Sequence, residues 1–399
     1  MSKPPAVGDD GRGAGQIMGT DPSMRRAWLA HNTGHSLDVC EHTAFTPEET
    51  VGNIENLIGA AQVPLGIAGP IRVNGGYAQG SYYVPFATTE GTLVSTYQYG
   101  MRAITEAGGA NAHVLADSLD ITPCFILAGA REAISFARWL QDHLPDLKAV
   151  AAEATSHGDL VDLHAHVFGR RVFAQFVFST GDAMGMNMVN LAVDDVCRHI
   201  MEVKPCERYY LRCNYSSDKK PAAINLFGNY GKEVAVDMTL PAGVVEAHLG
   251  VSVGELLEFA ATGRLGIMQA GALGANAHFA NGLAAIYVAC GQDVAQIVNA
   301  SIGFLDMELI GDGDLYVAAR LPNLVVATVG GGTSLPTARG CLALLGCGGE
   351  GTARKFAEIV GATLVAGDLA ICAALANGRF IEAHRRSRRV RDRSVKPVQ

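Results

Sequence analysis

The sequence has little charge for its length: 18% of its 399 residues are Asp, Glu, Lys or Arg, whereas 49% are hydrophobic. That balance excludes an intrinsically disordered chain, which combines low hydrophobicity with high charge. The formal net charge of −8 provides no broad cationic surface, so we expect neither a nucleic-acid partner nor binding to an anionic membrane surface. The length is sufficient for two or three domains, each with its own core.

Signals for zinc binding, disulfides, secretion and membrane insertion are also missing. The nine cysteines include no C-x-x-C pair and the N-terminus shows no signal peptide, which indicates reduced thiols, a cytoplasmic location and no metal. The one membrane-like stretch, residues 266–290, contains Gln269, Asn276, His278 and Asn281, whose polar groups would be costly in lipid. We therefore expect a helix buried inside a large domain and no membrane partner.

Helical and strand patterns are mixed along the chain. Residues 1–25 are rich in Gly, Pro, Asp and Ser, as is typical of a loose arm, and Thr46-Pro47-Glu48-Glu49 resembles a helix start. No period of 20 to 50 residues repeats, which excludes a solenoid. The pattern predicts an α+β fold with a smaller inserted domain. Helices are predicted at 131–143 and 147–155, and two more end near 203 and near 378. Strands are predicted at 170–180 and 324–329, and a further strand ends near 214.

A glycine-containing turn joins the strand at 170–180 to the helix after it. The backbone N–H groups at a helix start favour a phosphate, and glycine lets the ligand approach closely. However, the turn lacks the G-x-G-x-x-G spacing of a dinucleotide fingerprint. A purely structural turn and a cofactor loop therefore remain equally open from the residues alone. The turn reads Gly181-Asp182-Ala183-Met184-Gly185-Met186-Asn187.

Isolated charged residues supply the other candidates for chemistry. Lys219 and Lys220 precede a proline, so they lie on a loop, where an ammonium can polarise a carbonyl or simply be solvated. Glu90 and Asp293 stand in apolar surroundings, where an acid is either a paired structural group or one with a raised pKa for proton transfer. His384, beside an arginine cluster, has the alternative of an exposed histidine on a tail. None of these candidates decides the function alone.

Taken in order, these segments resemble the catalytic portion of 3-hydroxy-3-methylglutaryl-CoA (HMG-CoA) reductase. The resemblance runs from Glu55 to His384, over four-fifths of the chain, and it implies four-electron reduction of HMG-CoA to mevalonate and CoA with a nicotinamide cofactor. The strings ATTEG and DKKPAAIN are similar to the eukaryotic-type class, here without the membrane anchor of animal members. The matching strings are ENLIG (55–59), PLGIAGP (64–70), ATTEGTLV (87–94), GDAMGMNM (181–188), DKKPAAIN (218–225), NAHFANGLAAIYVACGQDVAQ (276–296) and TVGGGT (328–333).

The resemblance implies a role for each matching residue. Lys219 would stabilise the oxyanion formed when hydride reaches the thioester, Glu90 would be the general acid for the second hydride transfer, Asp293 would join both in one network, and His384 would protonate the CoA thiolate. Arg102 is implied as a CoA contact, and Asn281 as a residue that orients the substrate or Glu90. Further substrate contacts are implied at Asp218 and Lys220, and cofactor contacts at Thr155, Ser156, Asp159, Asp182, Ala183, Met184, Gly185, Met186, Asn187 and Gly331.

Two departures from the family pattern carry predictions. Ser156 stands where NADPH-using relatives place an arginine for the 2′-phosphate, and Asp159 lies close by, so NADH is favoured over NADPH. The arginine that clamps the substrate carboxylate in eukaryotic relatives is missing at Ala128 or Gly129, whereas Arg212 replaces a serine. We expect Arg212, helped by Lys220, to bind that carboxylate, the alternative being a surface arginine.

The resemblance also implies the domain plan. Residues 1–50 would form an N-terminal arm, 51–130 and 212–380 the large acyl-CoA domain, 131–211 an inserted nicotinamide domain, and 381–399 a C-terminal flap with a basic tail. A homodimer or homotetramer with sites at the subunit interface is expected, and the reaction could also run oxidatively in mevalonate breakdown. The alternatives are a two-electron NAD-dependent hydroxy-acid dehydrogenase and a non-catalytic acyl-CoA-binding protein.

Overall fold

A computed structural model describes residues 21–155, 158–227, 230–381 and Arg385 of the chain. Its strands are β1 Leu65–Asn74, β2 Gln79–Ala87, β3 Asn111–Ile121, β4 Cys124–Ile126, β5 Asp159–Phe168, β6 Arg171–Ser179, β7 Arg208–Tyr210, β8 Gly231–Leu240, β9 Phe304–Ile310 and β10 Asp314–Leu324. Its helices are α1 Pro22–Thr33, α2 Leu93–Glu106, α3 Ala130–Asp142, α4 Leu144–Ala154, α5 Met186–Val203, α6 Ala242–Val244, α7 Val253–Ala270, α8 Phe279–Ala289, α9 Ile297–Ala300, α10 Pro336–Leu344 and α11 Ala353–Ala376.

Most of the strands form one antiparallel sheet in the order β7-β4-β6-β3-β8-β10-β9, with β5 paired to β6. Strand β3 joins the two halves, because its first part pairs with β8 (Asn111 opposite Asp237) and its last residues pair with β6 (Leu119 opposite Phe178). Strands β1 and β2 form a separate antiparallel hairpin. The sheet therefore continues from one half of the molecule into the other.

Two hydrophobic cores lie on this sheet. The first collects β1, β2, β8, β10, α2, α8 and the long helix α11. The second collects β4, β5 and β6 under α3, α4 and α5, and begins at Leu119. Strand β8 alternates buried and half-exposed residues along its length, as expected for a strand that covers one core with one face. The predicted α+β class is confirmed; the exact domain boundaries stay a prediction, which the two cores support.

Several predicted elements are confirmed and others are wrong. Helices α3, α4 and α5 and strand β6 lie where the periodicity placed them. The helix start at Thr46 leads only to a single 3₁₀ turn, Glu48–Thr50, which ends before Gly52 with φ 86°. Residues 325–329 do not continue β10 as a strand, because the Gln292 side chain takes both the N–H and the C=O of Ala327. The strand ending near 214 is only β7.

The stretch at 266–290 is two helices rather than one buried helix. Helix α7 ends at Ala270 because Gly271 takes a left-handed conformation, φ 67°, and α8 begins at Phe279. Helix α8 is buried, but the last turns of α7 are exposed, with Leu265 64% and Met268 76% accessible. Within the described ranges, α11 is the one helix long and apolar enough to cross a membrane, and 78% of its apolar window is buried in the fold.

Candidate active site

Lys219 lies on the loop between β7 and β8, in a left-handed backbone conformation with φ 56°. Its ammonium is 2.7 Å from the Asp293 carboxylate, and the two side chains are 41% and 32% accessible. Asp293 follows α8 and also accepts the N–H of Ala295 at 3.1 Å. The lysine is thus not a freely solvated turn residue: an acid holds its positive charge at a fixed point where a ligand can still reach it.

Asp218 is buried next to Lys219 and ties the loop to several elements. Its two carboxylate oxygens accept hydrogen bonds from Arg212 at 2.7 Å and Gln296 at 2.8 Å. Burial alone would raise the pKa of this carboxyl, but the neighbouring Tyr230 hydroxyl, Gln296 and the charges of Arg212 and Lys219 outweigh it, so the pKa lies below its usual value. Asp218 therefore stays ionised and fixes Arg212 beside Lys219.

Buried amides hold the backbone of the same loop. Asn299 donates to the carbonyl of Ser217 at 2.9 Å, and Asn225 donates to the carbonyl of Lys220 at 2.8 Å. Asn225, Gln296 and Asn299 are not among the predicted site residues, although polar residues inside apolar strings are a usable signal for buried hydrogen bonds. The Lys220 ammonium donates to the Asp218 carbonyl at 3.0 Å, so Lys220 and Arg212 bond to the same residue.

Glu90 forms a second pair at another place. It follows β2, its N–H bonds the Thr88 hydroxyl at 3.0 Å, and its carboxylate accepts the Asn281 amide at 2.8 Å. Asn281 belongs to the first turn of α8, whereas Asp293 comes after the last turn. Because 11 helical residues span about 15 Å, the Glu90–Asn281 and Lys219–Asp293 pairs lie at opposite ends of α8. No hydrogen bond or ion pair among the described residues joins them within one chain.

The turn between β6 and α5 has the geometry of an anion cradle. Gly181 and Gly185 adopt φ 60° and 73°, and Gly185 precedes the 18-residue helix α5, whose first turn is half-buried except at Asn187. A side chain at Gly185 would collide with Thr180, so only glycine fits there. Gly331, φ 53°, has open space where a Cβ would point and lies two residues after Val329, which bridges to Ala183. These features fit the phosphates of a nucleotide cofactor.

Within this turn the predicted contacts differ in their surroundings. Ala183, Met184 and Met186 are half-buried and Asn187 is exposed. Asp182 is engaged elsewhere: its carboxylate accepts the N–H groups of Gly351 at 2.6 Å and Ala353 at 2.9 Å. Asp182 therefore anchors the turn to the start of α11, and its predicted contact with the cofactor stays untested.

The segment predicted to meet the cofactor ribose adjoins this turn. Thr155 ends α4, and Asp159 is exposed at the start of β5, opposite Ser179. A Cβ at Gly158 would come 3.0 Å from Met188 and from the carbonyl of Ser179, so the segment packs directly against α5 and the end of β6. Ser156 lies outside the described residues.

The remaining predicted residues are placed as follows. Arg102 is exposed on α2, and the described parts of the chain give it no ion pair. His384 and all but Arg385 of the basic tail fall outside the described residues. The nine cysteines are free thiols, and no group of three or more His, Cys, Asp or Glu residues among those described could hold a metal ion.

A groove of about 470 Å³ begins at Thr92, two residues after Glu90, and lies between α2, the last turns of α11 and the segment with His248 and Leu249. Its floor is apolar, its wall on α2 is rich in hydroxyls, and Arg379 supplies a positive charge. Its lining thus offers both apolar and polar contacts to a ligand. The lining includes Thr92, Ser95, Tyr99, Ala370, Ala374 and Arg379.

The sequence and the fold of this chain are both similar to those of known proteins. A family model described as hydroxymethylglutaryl-coenzyme A reductase matches residues 21–389. The 3-hydroxy-3-methylglutaryl-coenzyme A reductase of Aeropyrum pernix is 43% identical over 370 residues, 90% of this chain and 88% of that protein. The reductase 2 of Solanum tuberosum is 36% identical, covering 91% of this chain and 62% of its own length. The fold matches the NADPH-bound class II reductase of Streptococcus pneumoniae with TM-score 0.68 at 19% identity, over 88% of this chain and 96% of that one.

Proposed function

The chain belongs to the hydroxymethylglutaryl-coenzyme A reductase family, and we propose that it reduces 3-hydroxy-3-methylglutaryl-CoA to mevalonate and free CoA in two hydride transfers. The observation that carries the proposal is the Lys219–Asp293 pair, which presents a fixed ammonium at the family's DKKPAAIN string. Neither a two-electron hydroxy-acid dehydrogenase nor a non-catalytic acyl-CoA-binding protein is favoured, because relatives of about 40% identity over nearly the whole chain are named as this reductase.

Lys219 acts on the carbonyl oxygen of the thioester. When hydride adds to the carbonyl carbon, the oxygen becomes an oxyanion, and an ammonium already in position stabilises it without reorganisation. Asp293 keeps the lysine side chain oriented. The tetrahedral species then expels the CoA thiolate and leaves mevaldehyde. We propose that His384 protonates this thiolate, since an imidazolium can transfer its proton near neutral pH.

Glu90 acts in the second reduction. Hydride adds to the aldehyde carbon of mevaldehyde, and the carboxylic acid of Glu90 protonates the oxygen that becomes the new alcohol. The amide of Asn281 holds one carboxylate oxygen of Glu90 at 2.8 Å, which leaves the other oxygen for the substrate. A bound nicotinamide supplies the hydride in each step, and the β6–α5 turn is the proposed place for its phosphates.

The groove beside Glu90 is the proposed path of the acyl-CoA. The pantetheine arm of CoA is long, narrow and carries two amides, which suits an apolar floor with hydroxyls along one wall. Arg379 lines the groove, and Arg102 lies on α2, the helix that forms one wall of the groove. Both residues offer positive charges for the phosphates of CoA. The thioester end would then lie next to Glu90.

We further propose a homodimer or homotetramer with sites between protomers. The two catalytic pairs at opposite ends of α8 would be completed by the corresponding pairs of a partner copy. The exposed apolar side chains of α7 support such a contact, since apolar surface of this kind marks protein interfaces. We also place the protein in the cytoplasm and in the eukaryotic-type class, which the 36% identity to the Solanum tuberosum reductase supports.

Arg212 is the proposed clamp for the substrate carboxylate. Arg212→Ala should raise KM for HMG-CoA about 10- to 100-fold with a smaller change in kcat, because a charge-assisted hydrogen bond is worth about 1.5–3 kcal/mol. Arg212→Lys, which keeps the charge opposite Asp218, should recover part of the affinity. Steady-state kinetics measures both, with Arg208→Ala on β7 as the matched control. An unchanged KM in Arg212→Ala would show that the guanidinium only balances Asp218.

We propose that NADH is preferred over NADPH. Asp159 at the start of β5, next to α5, would repel the 2′-phosphate of NADPH, and the missing arginine at Ser156 removes a charge-assisted bond worth about 1.5–3 kcal/mol. Turnover of HMG-CoA with each cofactor and a thiol reporter should release CoA and give a kcat/KM about tenfold higher with NADH. Asp159→Asn should narrow that ratio. A higher kcat/KM with NADPH would contradict the preference for NADH. The absence of CoA release with either cofactor would contradict the proposed reaction.

A further inference from the structure

Asp368 lies in the middle of α11, where almost every neighbour is apolar, and it is 1% accessible. Its carboxylate accepts the backbone N–H of Ala277 at 2.9 Å and 3.2 Å and that of His278 at 2.5 Å. These N–H groups stand at the start of α8, where a helix presents unpaired donors and a partial positive charge. Asp368 thus caps α8 from a helix that is 90 residues away in the sequence.

Burial of the Asp368 carboxylate in the apolar core is energetically unfavourable. Burial raises the pKa of the Asp368 carboxyl to about 7, even though the N–H groups of Ala277 and His278 lower it again. Burial and the charge of Asp368 raise the pKa values of Tyr97 and Cys372, and the charge of Glu90 acts on Tyr97 and His278. An apolar residue would fill this part of α11 without that cost, so packing alone does not account for an acid here.

The first turn of α8 is held from a second side by Tyr97. Its hydroxyl donates to the carbonyl of His278 at 2.9 Å, and the two rings stack with their centroids 5.3 Å apart. Gly282 on α8 and Gly367 on α11 leave the space for the tyrosine side chain, since a Cβ at Gly282 would collide with its hydroxyl and a Cβ at Gly367 with its ring. Asp368 and Tyr97 together fix this turn.

The turn that they fix carries Asn281, which holds Glu90. We propose that Asp368 is a positioning residue that sets the first turn of α8 and, through Asn281, the orientation of the Glu90 carboxylate. The inference rests on the proposed function, because it assumes that Glu90 is the general acid. The path from Asp368 to Glu90 consists of the Ala277 and His278 N–H groups, the α8 backbone, and the 2.8 Å bond from Asn281.

The test compares Asp368→Asn with a matched variant of the same helix. The amide keeps the shape but has no charge, and its NH2 group replaces one of the two acceptor oxygens, so the 2.9 Å bond from the N–H of Ala277 is lost or that from His278 is weakened. We therefore expect kcat to fall about 10- to 100-fold, with KM for HMG-CoA within about twofold. Reduction of added mevaldehyde should fall as much, since that step uses Glu90. The control is Glu358→Gln, a second buried acid of α11 that accepts the N–H groups of Gly76, Tyr77 and Ala78, remote from Glu90; its kcat should remain near wild type.

A double-mutant cycle with Asn281→Ala separates positioning from general destabilisation. If Asp368 acts through Asn281, the double variant should lose little more kcat than Asn281→Ala alone; a full multiplication of the two losses overturns the inference. Wild-type kcat in a folded Asp368→Asn also overturns it. If Asp368→Asn does not fold, Tyr97→Phe replaces it in the same cycle. The two proposals fail in different ways. If wild-type enzyme does not turn over HMG-CoA, the proposed function is wrong. If it does, but the variants keep wild-type kcat or their losses multiply, only this inference is wrong.

Discussion

Replacement of Lys219 with methionine is expected to lower kcat for HMG-CoA reduction by about 10²- to 10³-fold, the loss that follows removal of one preorganised oxyanion donor. Methionine keeps the length of the side chain but has no charge and no strong donor. The neighbouring loop should survive the change, because Ser217, Asp218 and Lys220 are held by Asn299, Gln296 and Asn225 rather than by Lys219. KM for HMG-CoA should therefore change much less than kcat.

Single-turnover kinetics with NADH measures this effect on the hydride transfer itself. Asp293→Asn should give an intermediate loss, because the ammonium remains but its 2.7 Å ionic partner is gone. Lys148→Met on α4, in the helical layer of the second core, is the matched control and should retain wild-type kcat. If Lys219→Met keeps more than about a tenth of the wild-type kcat, the oxyanion role belongs to another group.

The elements that the sequence could predict are those that local pattern determines. The strand–turn–helix at β6 and α5 follows from β-branched residues, glycines at positive φ and helical periodicity, all within about 35 residues. The loop position of Lys219 follows from the proline at 221 and the preceding strand. Each of these signals acts over one or two elements, and the structure has them where the pattern placed them.

What the sequence could not predict depends on contacts between distant segments. Gln296 meets Asp218 across 78 residues, and Asp368 meets His278 across 90. Neither partner is marked by periodicity, since a lone acid in an apolar helix has the same pattern whether it is paired or not. The separation of Glu90 from Lys219 along α8 is likewise a consequence of the fold. Within the described residues of one chain, the predicted network of Lys219, Glu90 and Asp293 is therefore two separate pairs, and their union in one site stays a prediction that depends on the proposed partner copy.

Asp368 should also make the stability of the protein depend on pH. Its carboxyl has a pKa of about 7 in the fold against 3.8 for a free aspartate, so the folded state binds a proton that the unfolded chain releases. A raised acid pKa favours folding fully below pH 3.8, and that advantage is lost as the pH rises through 7. Between pH 5 and pH 8 the loss amounts to about 3 kcal/mol, from 1.36 kcal/mol per pKa unit.

Other titratable groups also change the free energy of unfolding between pH 5 and pH 8, some of them in the opposite direction. Asp120, buried beside Thr122 and Gln175, has its pKa raised to about 6 by burial and adds a loss of the same sign. Burial lowers the pKa of His278, so its contribution is present above pH 6.5 and is lost as the pH falls. Asp218, with a lowered pKa, matters only below about pH 4. The total slope therefore does not isolate Asp368, whereas a comparison with Asp368→Asn does.

Urea unfolding at pH 5 and pH 8 measures that comparison. Asp368→Asn cannot release the proton, so its free energy of unfolding relative to wild type should become more favourable by about 3 kcal/mol at pH 8 than at pH 5. Glu358→Gln is the matched variant for a buried acid in the same helix. Because the Glu358 carboxylate accepts three N–H groups, its replacement should destabilise the protein without that reversal. A constant difference between Asp368→Asn and wild type at the two pH values would show that Asp368 stays ionised in the fold from pH 5 to pH 8 and would contradict this prediction.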